Sequence, residues 1–225
     1  MVKLFRKNQW FYIPYFTFLL IGGIVLLFFK KTDIHLFINN IHCISADYFF
    51  KYYTHAGDGI VVAIVIFLLL FFSYRNTIIL AISTLMSTFV LLLFKEILLS
   101  DVDRPKMVFI KINQMLYFVP GVNVHLNYSF PSGHTISGFS LFLFFALISK
   151  NRTLKFLFFI LAFLIGYSRM YLSQHFLIDI YFGSLIGVIF TTLAFLWVSN
   201  WKNNKLEFSL LHTLRIIKHD KQAKD

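Results

Sequence analysis

Six apolar runs constrain this chain more than any other feature: Trp10 to Phe29, Gly59 to Tyr74, Ile78 to Phe94, His134 to Ser149, Leu154 to Tyr171 and Phe176 to Val198. A helix rises 1.5 Å per residue, so about 20 apolar residues cross a hydrocarbon core of roughly 30 Å. The first and last runs reach that length unaided; the second and fourth need flanking residues. Composition agrees, with 58% hydrophobic and only 14% charged residues. A soluble domain of this size could not hide that much apolar surface, so lipid must be its solvent. Inside lipid every backbone polar group must be satisfied within its own segment, which selects helices. The expectation is an all-α integral membrane bundle of six transmembrane helices, with residues 1–225 forming one membrane-embedded domain. The first run resembles a signal peptide behind Lys3, Arg6 and Lys7. No small-residue cleavage site follows it, so it is read as a permanent span.

The net charge of +11 raises the question of nucleic acid. Nucleic-acid binders gather Lys and Arg on one polar face or tail. Here the basic residues stand between apolar runs, where anionic headgroups and membrane topology account for them. With the N-terminus in the cytoplasm, thirteen of the twenty-one fall inside: Lys3, Arg6, Lys7, Arg75, Lys150, Arg152, Lys155, Lys202, Lys205, Arg215, Lys218, Lys221 and Lys224. The positive-inside rule therefore favours cytoplasmic termini, with a basic cytoplasmic tail over residues 200–225. Cys43 stands alone, which excludes an intrachain disulfide and a cysteine-based zinc cluster. His35, His42, His55 and His125 share the outer side without metal-ligand spacing.

Between the runs lie three further segments. Ile34, Phe37, Ile38, Ile41 and Tyr48 fall near helical spacing and read as an interfacial helix on the outer leaflet. Residues 99–131 form a loop long enough to be functional. The stretch Leu206 to Ile217 is amphipathic and basic, suited to the inner leaflet. No internal repeat or separate soluble domain is evident.

Ionisable groups near spans are costly and functional by default. They collect in three places, all at outer ends of spans under this topology. Lys95 ends the third run, and Arg104-Pro105 follows; an arginine fork suits phosphate oxygens, although snorkelling by Lys95 and pairing of Arg104 with Asp101 or Asp103 compete with that reading. Next, Ser129-Phe-Pro-Ser-Gly-His134 opens the fourth run. Ser132 is a candidate N-cap, Gly133 leaves room beside the backbone, and a helix N-terminus attracts anions. The plain alternative is an ordinary cap with an interfacial histidine. Last, His175 and Asp179 stand four apart, on one helical face, behind Ser168-Arg169. A carboxylate on one imidazole nitrogen leaves the other free to act as a nucleophile. Asp58, between Gly57 and Gly59, reads either as the N-cap of the second run or as a contact of the same pocket.

Arg104-Pro105, Pro131-Ser132-Gly133-His134, and Ser168-Arg169 with His175 and Asp179 at their spacings resemble the three-part signature of the type-2 phosphatidic acid phosphatase superfamily, in its six-span bacterial membrane branch. The resemblance covers a core of residues 95–179. One departure stands out: eight residues, Glu96 to Asp103, separate Lys95 from Arg104, two more than the family's usual spacing. The resemblance implies that His175 is the nucleophile, oriented by Asp179, and that His134 is the general acid and then base. It implies that Lys95, Arg104, Arg169 and the backbone of Ser132 and Gly133 hold the phosphoryl oxygens. No metal or cofactor is implied.

The substrate so implied is a lipid phosphate or diphosphate, with undecaprenyl diphosphate favoured and phosphatidylglycerophosphate, phosphatidate and lipid A phosphate as alternatives. The location implied is the bacterial cytoplasmic membrane, with the site on its outer face. A lipid phosphotransferase would share the chemistry, and a vanadate-dependent peroxidase would share the pocket. A transporter would need ionisable groups near the midplane rather than at one face.

Overall fold

The computed structural model describes residues 1–203, 206 and 208–211, and within them every regular element is helical. In chain order these are α1 (Val2–Lys7), α2 (Gln9–Phe28), α3 (Lys31–Asn39), α4 (Ile44–Tyr53), α5 (Gly59–Leu69), α6 (Tyr74–Leu92), α7 (Pro105–Lys111), α8 (Gly133–Ile148), α9 (Arg152–Tyr171) and α10 (Leu177–Ser199). A tight turn, Thr54–Gly57, joins α4 to α5, and a π-helical stretch, Leu93–Leu98, prolongs α6. The amphipathic tail expected over Leu206 to Ile217 lies largely outside the described residues.

Each of the six apolar runs coincides with a helix, but not every helix is a full span. Four are long and apolar enough to cross a membrane: Gln9–Phe28, Tyr74–Leu98, Arg152–Tyr171 and Leu177–Ser199. The second run ends at Leu69 after 11 residues, and reaches spanning length only when α4 and the turn are added across a 52° bend. The fourth, α8, has 16 residues, about 24 Å at helical rise. It can be short because it is the central helix, packed against α9, α10 and α6 rather than against lipid. Ten of its 16 side chains are buried, as expected of a helix that is apolar on every side. The outer helices are the reverse: Leu27, Phe28, Phe72 and Leu85 face outwards, a surface that water would not tolerate. The single interfacial helix expected around residues 34–48 is two, α3 and α4, broken at residues 40–43 where Asn39 and Asp47 turn to other partners.

Two devices hold the bundle. Polar side chains bridge helices: the hydroxyls of Tyr12 and Thr192 lie 2.9 Å apart, and those of Ser83 and Thr191 2.6 Å, contacts that draw value from the lack of water in lipid. Secondly, Gly183 and Gly187 form a small-residue stripe on α10 against α8. A Cβ on Gly187 would stand 2.6 Å from the Ile136 carbonyl oxygen, and one on Gly183 2.9 Å from that of Ser132. The two backbones can approach that closely only because no side chain intervenes. This close approach brings the start of α8 beside the start of α10.

At the opposite end, Arg75 donates to the carbonyls of Val198, in the last turn of α10, and of Trp201 just beyond it, a favourable place for a cation. Lys155 donates to the Lys7 carbonyl and the Asn8 side chain. The starts of α2, α6 and α9 and the end of α10 therefore share one face of the bundle.

Candidate active site

The residues singled out by sequence gather at the other face, where His134 and Arg169, with Gln174, Lys51, His55 and His125, line a cavity of about 330 Å³. A larger groove of about 930 Å³ runs between α2 and α9, but its lining is apolar and includes none of the singled-out residues.

His175 lies in the turn between α9 and α10, 2% exposed. That turn is shaped by Ser173, whose φ of 53° is in the left-handed region, uncomfortable for a side-chain-bearing residue. Its hydroxyl meets His35 Nε2 and Asn39 Nδ2, each at 3.2 Å, so α3 braces the turn from outside. His175 Nδ1 faces Asp179 Oδ2 at 3.4 Å, within ion-pair reach but too long and poorly aligned for a hydrogen bond. Asp179 itself is rigidly held: Oδ2 accepts from Ser129 Oγ at 2.5 Å and from the Phe176 amide at 2.9 Å. Burial first, then the guanidiniums of Arg104 and Arg169 and the ammonium of Lys95, push the His175 imidazole well below its ordinary pKa. It is therefore neutral at physiological pH, as a nucleophile must be. The same cations reach His125 across the cavity, whose pKa is lowered by burial and by their field.

Ser132 caps α8, its Oγ accepting from the Thr135 amide at 3.4 Å. Its own amide donates to the Asp179 carbonyl at 3.1 Å, which locks the start of α8 to α10. The Ser132 N–H, expected to serve the phosphate, is engaged with the chain in this structure. Gly133, at the first helical position, keeps its amide without an intrahelical acceptor. His134 follows, with Nε2 2.6 Å from Asp58 Oδ1. Asp58 stands at the N-cap of α5 yet makes no capping hydrogen bond, so of its two readings the pocket contact is the one observed.

The three cations differ in how they are held. Arg104 is 8% exposed and grips the protein: Nε donates to the Asn127 carbonyl, one terminal nitrogen to the carbonyl and side-chain oxygens of Gln174, the other to the Tyr128 carbonyl. Neither Asp101 nor Asp103 is its partner; Asp103 pairs with Lys111. Arg169 makes one side-chain bond, to Thr54 Oγ1 at 2.7 Å, and its Nε is buried without a partner. Such a donor costs about 1–3 kcal/mol if nothing ever meets it. Lys95 sits in the π-helical stretch and is close enough to Arg104 and Arg169 to feel their charge. A π turn takes up more residues per turn than an α turn, which absorbs part of the long Lys95–Arg104 spacing, and such turns recur at functional sites. Among the described residues, no three His, Cys, Asp or Glu side chains converge as metal ligands would.

Ser129, Thr54, Ser173 and Gln174 were not singled out individually by sequence. Ser129 and Gln174 stand inside recognised stretches, but nothing local marks their partners. Thr54 has no sequence signal at all.

Residues 76–203 match the family model described as the PAP2 superfamily. Two solved structures resemble most of this arrangement. Aquifex aeolicus LpxE superposes with a TM-score of 0.64 and 25% identity, covering 72% of this chain and 92% of that one. A transmembrane PAP2-type phosphatidylglycerolphosphate phosphatase from Bacillus subtilis superposes with a TM-score of 0.61 and 21% identity, covering 88% and 98%. No curated protein sequence matches significantly.

Proposed function

This chain belongs to the PAP2 superfamily of membrane lipid phosphatases, and from that premise we propose that it hydrolyses a lipid phosphate or diphosphate through a phosphohistidine on His175. The observation that carries the reading is the convergence of His175, His134, Lys95, Arg104 and Arg169 on one end of the bundle, with the Arg169 Nε buried and unpartnered.

With Nδ1 turned to Asp179, Nε2 of His175 attacks the terminal phosphorus while its bond to the leaving oxygen breaks, the lipid alkoxide oxygen of a monophosphate or the bridging oxygen of a diphosphate. That oxygen takes a proton from His134. In the second step His134 removes a proton from water, the hydroxide attacks phosphorus, and the P–N bond breaks to release phosphate. Arg169, Lys95 and the Gly133 amide stabilise the equatorial oxygens, and Arg104 adds charge while framing the nucleophile's turn. Three cations supply this charge, so no metal or cofactor has a step. The site would face the outside of the cytoplasmic membrane, with both termini inside.

Among lipids, undecaprenyl diphosphate is favoured; phosphatidylglycerophosphate, phosphatidate and lipid A phosphate are the alternatives, and transfer to an alcohol is the alternative to hydrolysis. The test is phosphate release by purified protein from these four lipids in excess chelator, with and without an alcohol acceptor. A His134→Ala variant given a radiolabelled aryl phosphate, whose leaving group needs little acid help, should accumulate acid-labile, base-stable label on His175. Label on another residue, or release from none of the lipids, would overturn the proposal.

A further inference from the structure

Asp58 and the turn before it lie upstream of the residues matched to the family, yet they touch two of the site's charged side chains. We propose that the segment Thr54–Asp58 is a fourth part of the active site, in which Asp58 is a positioning residue that orients His134 and eases its protonation as it serves the leaving oxygen. This rests on the phosphatase reading above and deepens it.

Three observations carry it. Asp58 occupies an N-cap position, where an aspartate ordinarily accepts from the amides of its own helix, but it makes no such bond. Both of its oxygens turn to histidines instead: Oδ1 is 2.6 Å from His134 Nε2, and Oδ2 accepts from His55 Nδ1 at 2.8 Å. Thr54, four residues earlier, takes the terminal nitrogen of Arg169 at 2.7 Å. Finally, the turn is built for this approach. A Cβ on Gly57 would fall 2.7 Å from Ile165 Cγ2 and 2.9 Å from the His134 carbonyl oxygen, so only glycine lets the turn come this near to α8.

The chemistry follows from which nitrogen is engaged. With Nε2 on the carboxylate, Nδ1 of His134 is the nitrogen left for the substrate. The groups facing His134 are Asp58 and His55 from the turn, Arg169 from α9 and His175 from the α9–α10 turn. Burial first, then Arg169, oppose an imidazolium, and among the described residues Asp58 is the anion beside it that favours one. The first step needs His134 protonated, and the reaction regenerates that proton from water in the second. Asp58 therefore matters most when the leaving group is a poor one.

The experiment compares Asp58→Asn and Asp58→Glu with wild type on an alkyl lipid phosphate and on a nitrophenyl phosphate, measuring kcat/KM against pH and the pre-steady-state burst. Asp58→Asn should lose about 10- to 100-fold on the alkyl ester, with the alkaline limb of its profile moved to lower pH. Its burst on the aryl ester should stay within a few-fold of wild type. Asp58→Glu, which keeps the carboxylate, should fall between. Equal losses on both esters with an unmoved pH limb would make Asp58 merely structural and overturn the inference. If Asp58→Asn does not fold, Asp58→Glu decides by the same leaving-group contrast. A wild-type protein active on neither ester would fail the phosphatase reading itself, and the inference would fall with it.

Discussion

Arg104 and Arg169 look equivalent in a motif, but the way each is bonded separates them. Arg104→Lys removes a fork that makes four hydrogen bonds, two of them buried and shared with Gln174. Bonds from a charged donor contribute about 1.5–3 kcal/mol each, and an ammonium can remake one of them. Discounting the two partly exposed bonds, the loss is on the order of 2–4 kcal/mol. For a chain of this size that lowers the thermal midpoint by roughly 5–15 °C. Arg169→Lys removes one bond, to Thr54, together with a buried donor that has no partner. Losing the bond and relieving the unmet donor nearly offset, so stability should change by no more than about 1 kcal/mol and the midpoint by no more than about 4 °C. Activity should fall in both, by roughly 10²-fold or more: in Arg169→Lys because a point charge does not replace planar phosphate recognition, and in Arg104→Lys because the turn that carries His175 loses its frame. The assay is thermal unfolding in detergent beside phosphate release. Vanadate, a mimic of pentacoordinate phosphorus, should raise the midpoint of wild type and not of Arg169→Lys. If Arg169→Lys is destabilised as much as Arg104→Lys, or keeps near-wild-type activity, the unpartnered Nε is not an anion donor and the reasoning fails.

Two other outcomes are expected. Burial lowers the pKa of His35 to about 4, so the unfolded chain binds its proton first, and stability present above about pH 6.5 should be lost as pH falls towards 4, by about 3 kcal/mol from this group; His35→Gln should show a shallower pH slope in thermal unfolding, although His175 contributes in the same direction, and an unchanged slope would refute it. In a background lacking the exposed Cys43, Gln114→Cys should react with an impermeant thiol reagent applied from outside and Lys150→Cys should not, while the reverse pattern would turn the site to the inner face.

The fold was legible where it depends on local sequence. Apolar runs mark helices because lipid leaves the backbone no other choice, and the cap at Ser132 was readable from Pro131 and Gly133 alone. Span count was less so. Length and hydropathy cannot tell a lipid-facing helix from one buried by its neighbours, so α8 looks like an incomplete span until α9, α10 and α6 are seen around it. The break between α3 and α4 was hidden for a related reason: Asn39 clamps both the amide and the carbonyl of Tyr117, 78 residues away, and no local pattern announces such a partner.

The site divides along the same line. His175 and Asp179 are legible from their four-residue spacing, although His175 stands in the turn before α10 and not on its face as that spacing suggests, and Arg104 and Arg169 because a fixed pattern names them. What each does is decided by partners that the pattern omits. Arg104 was expected to hold phosphate, yet its fork is turned largely to the chain, while Arg169 keeps a donor unmet. Asp58 is the sharper case. An aspartate before a helix is explained equally well as a cap, and a cap is the commoner outcome. Only the position of His134, brought alongside by the glycine turn at Gly57 and by the start of α8, moves the carboxylate from a backbone partner to a histidine. A motif therefore reports the groups that chemistry requires at fixed spacing. The groups that set their orientation and protonation can come from any part of the chain that packing brings near.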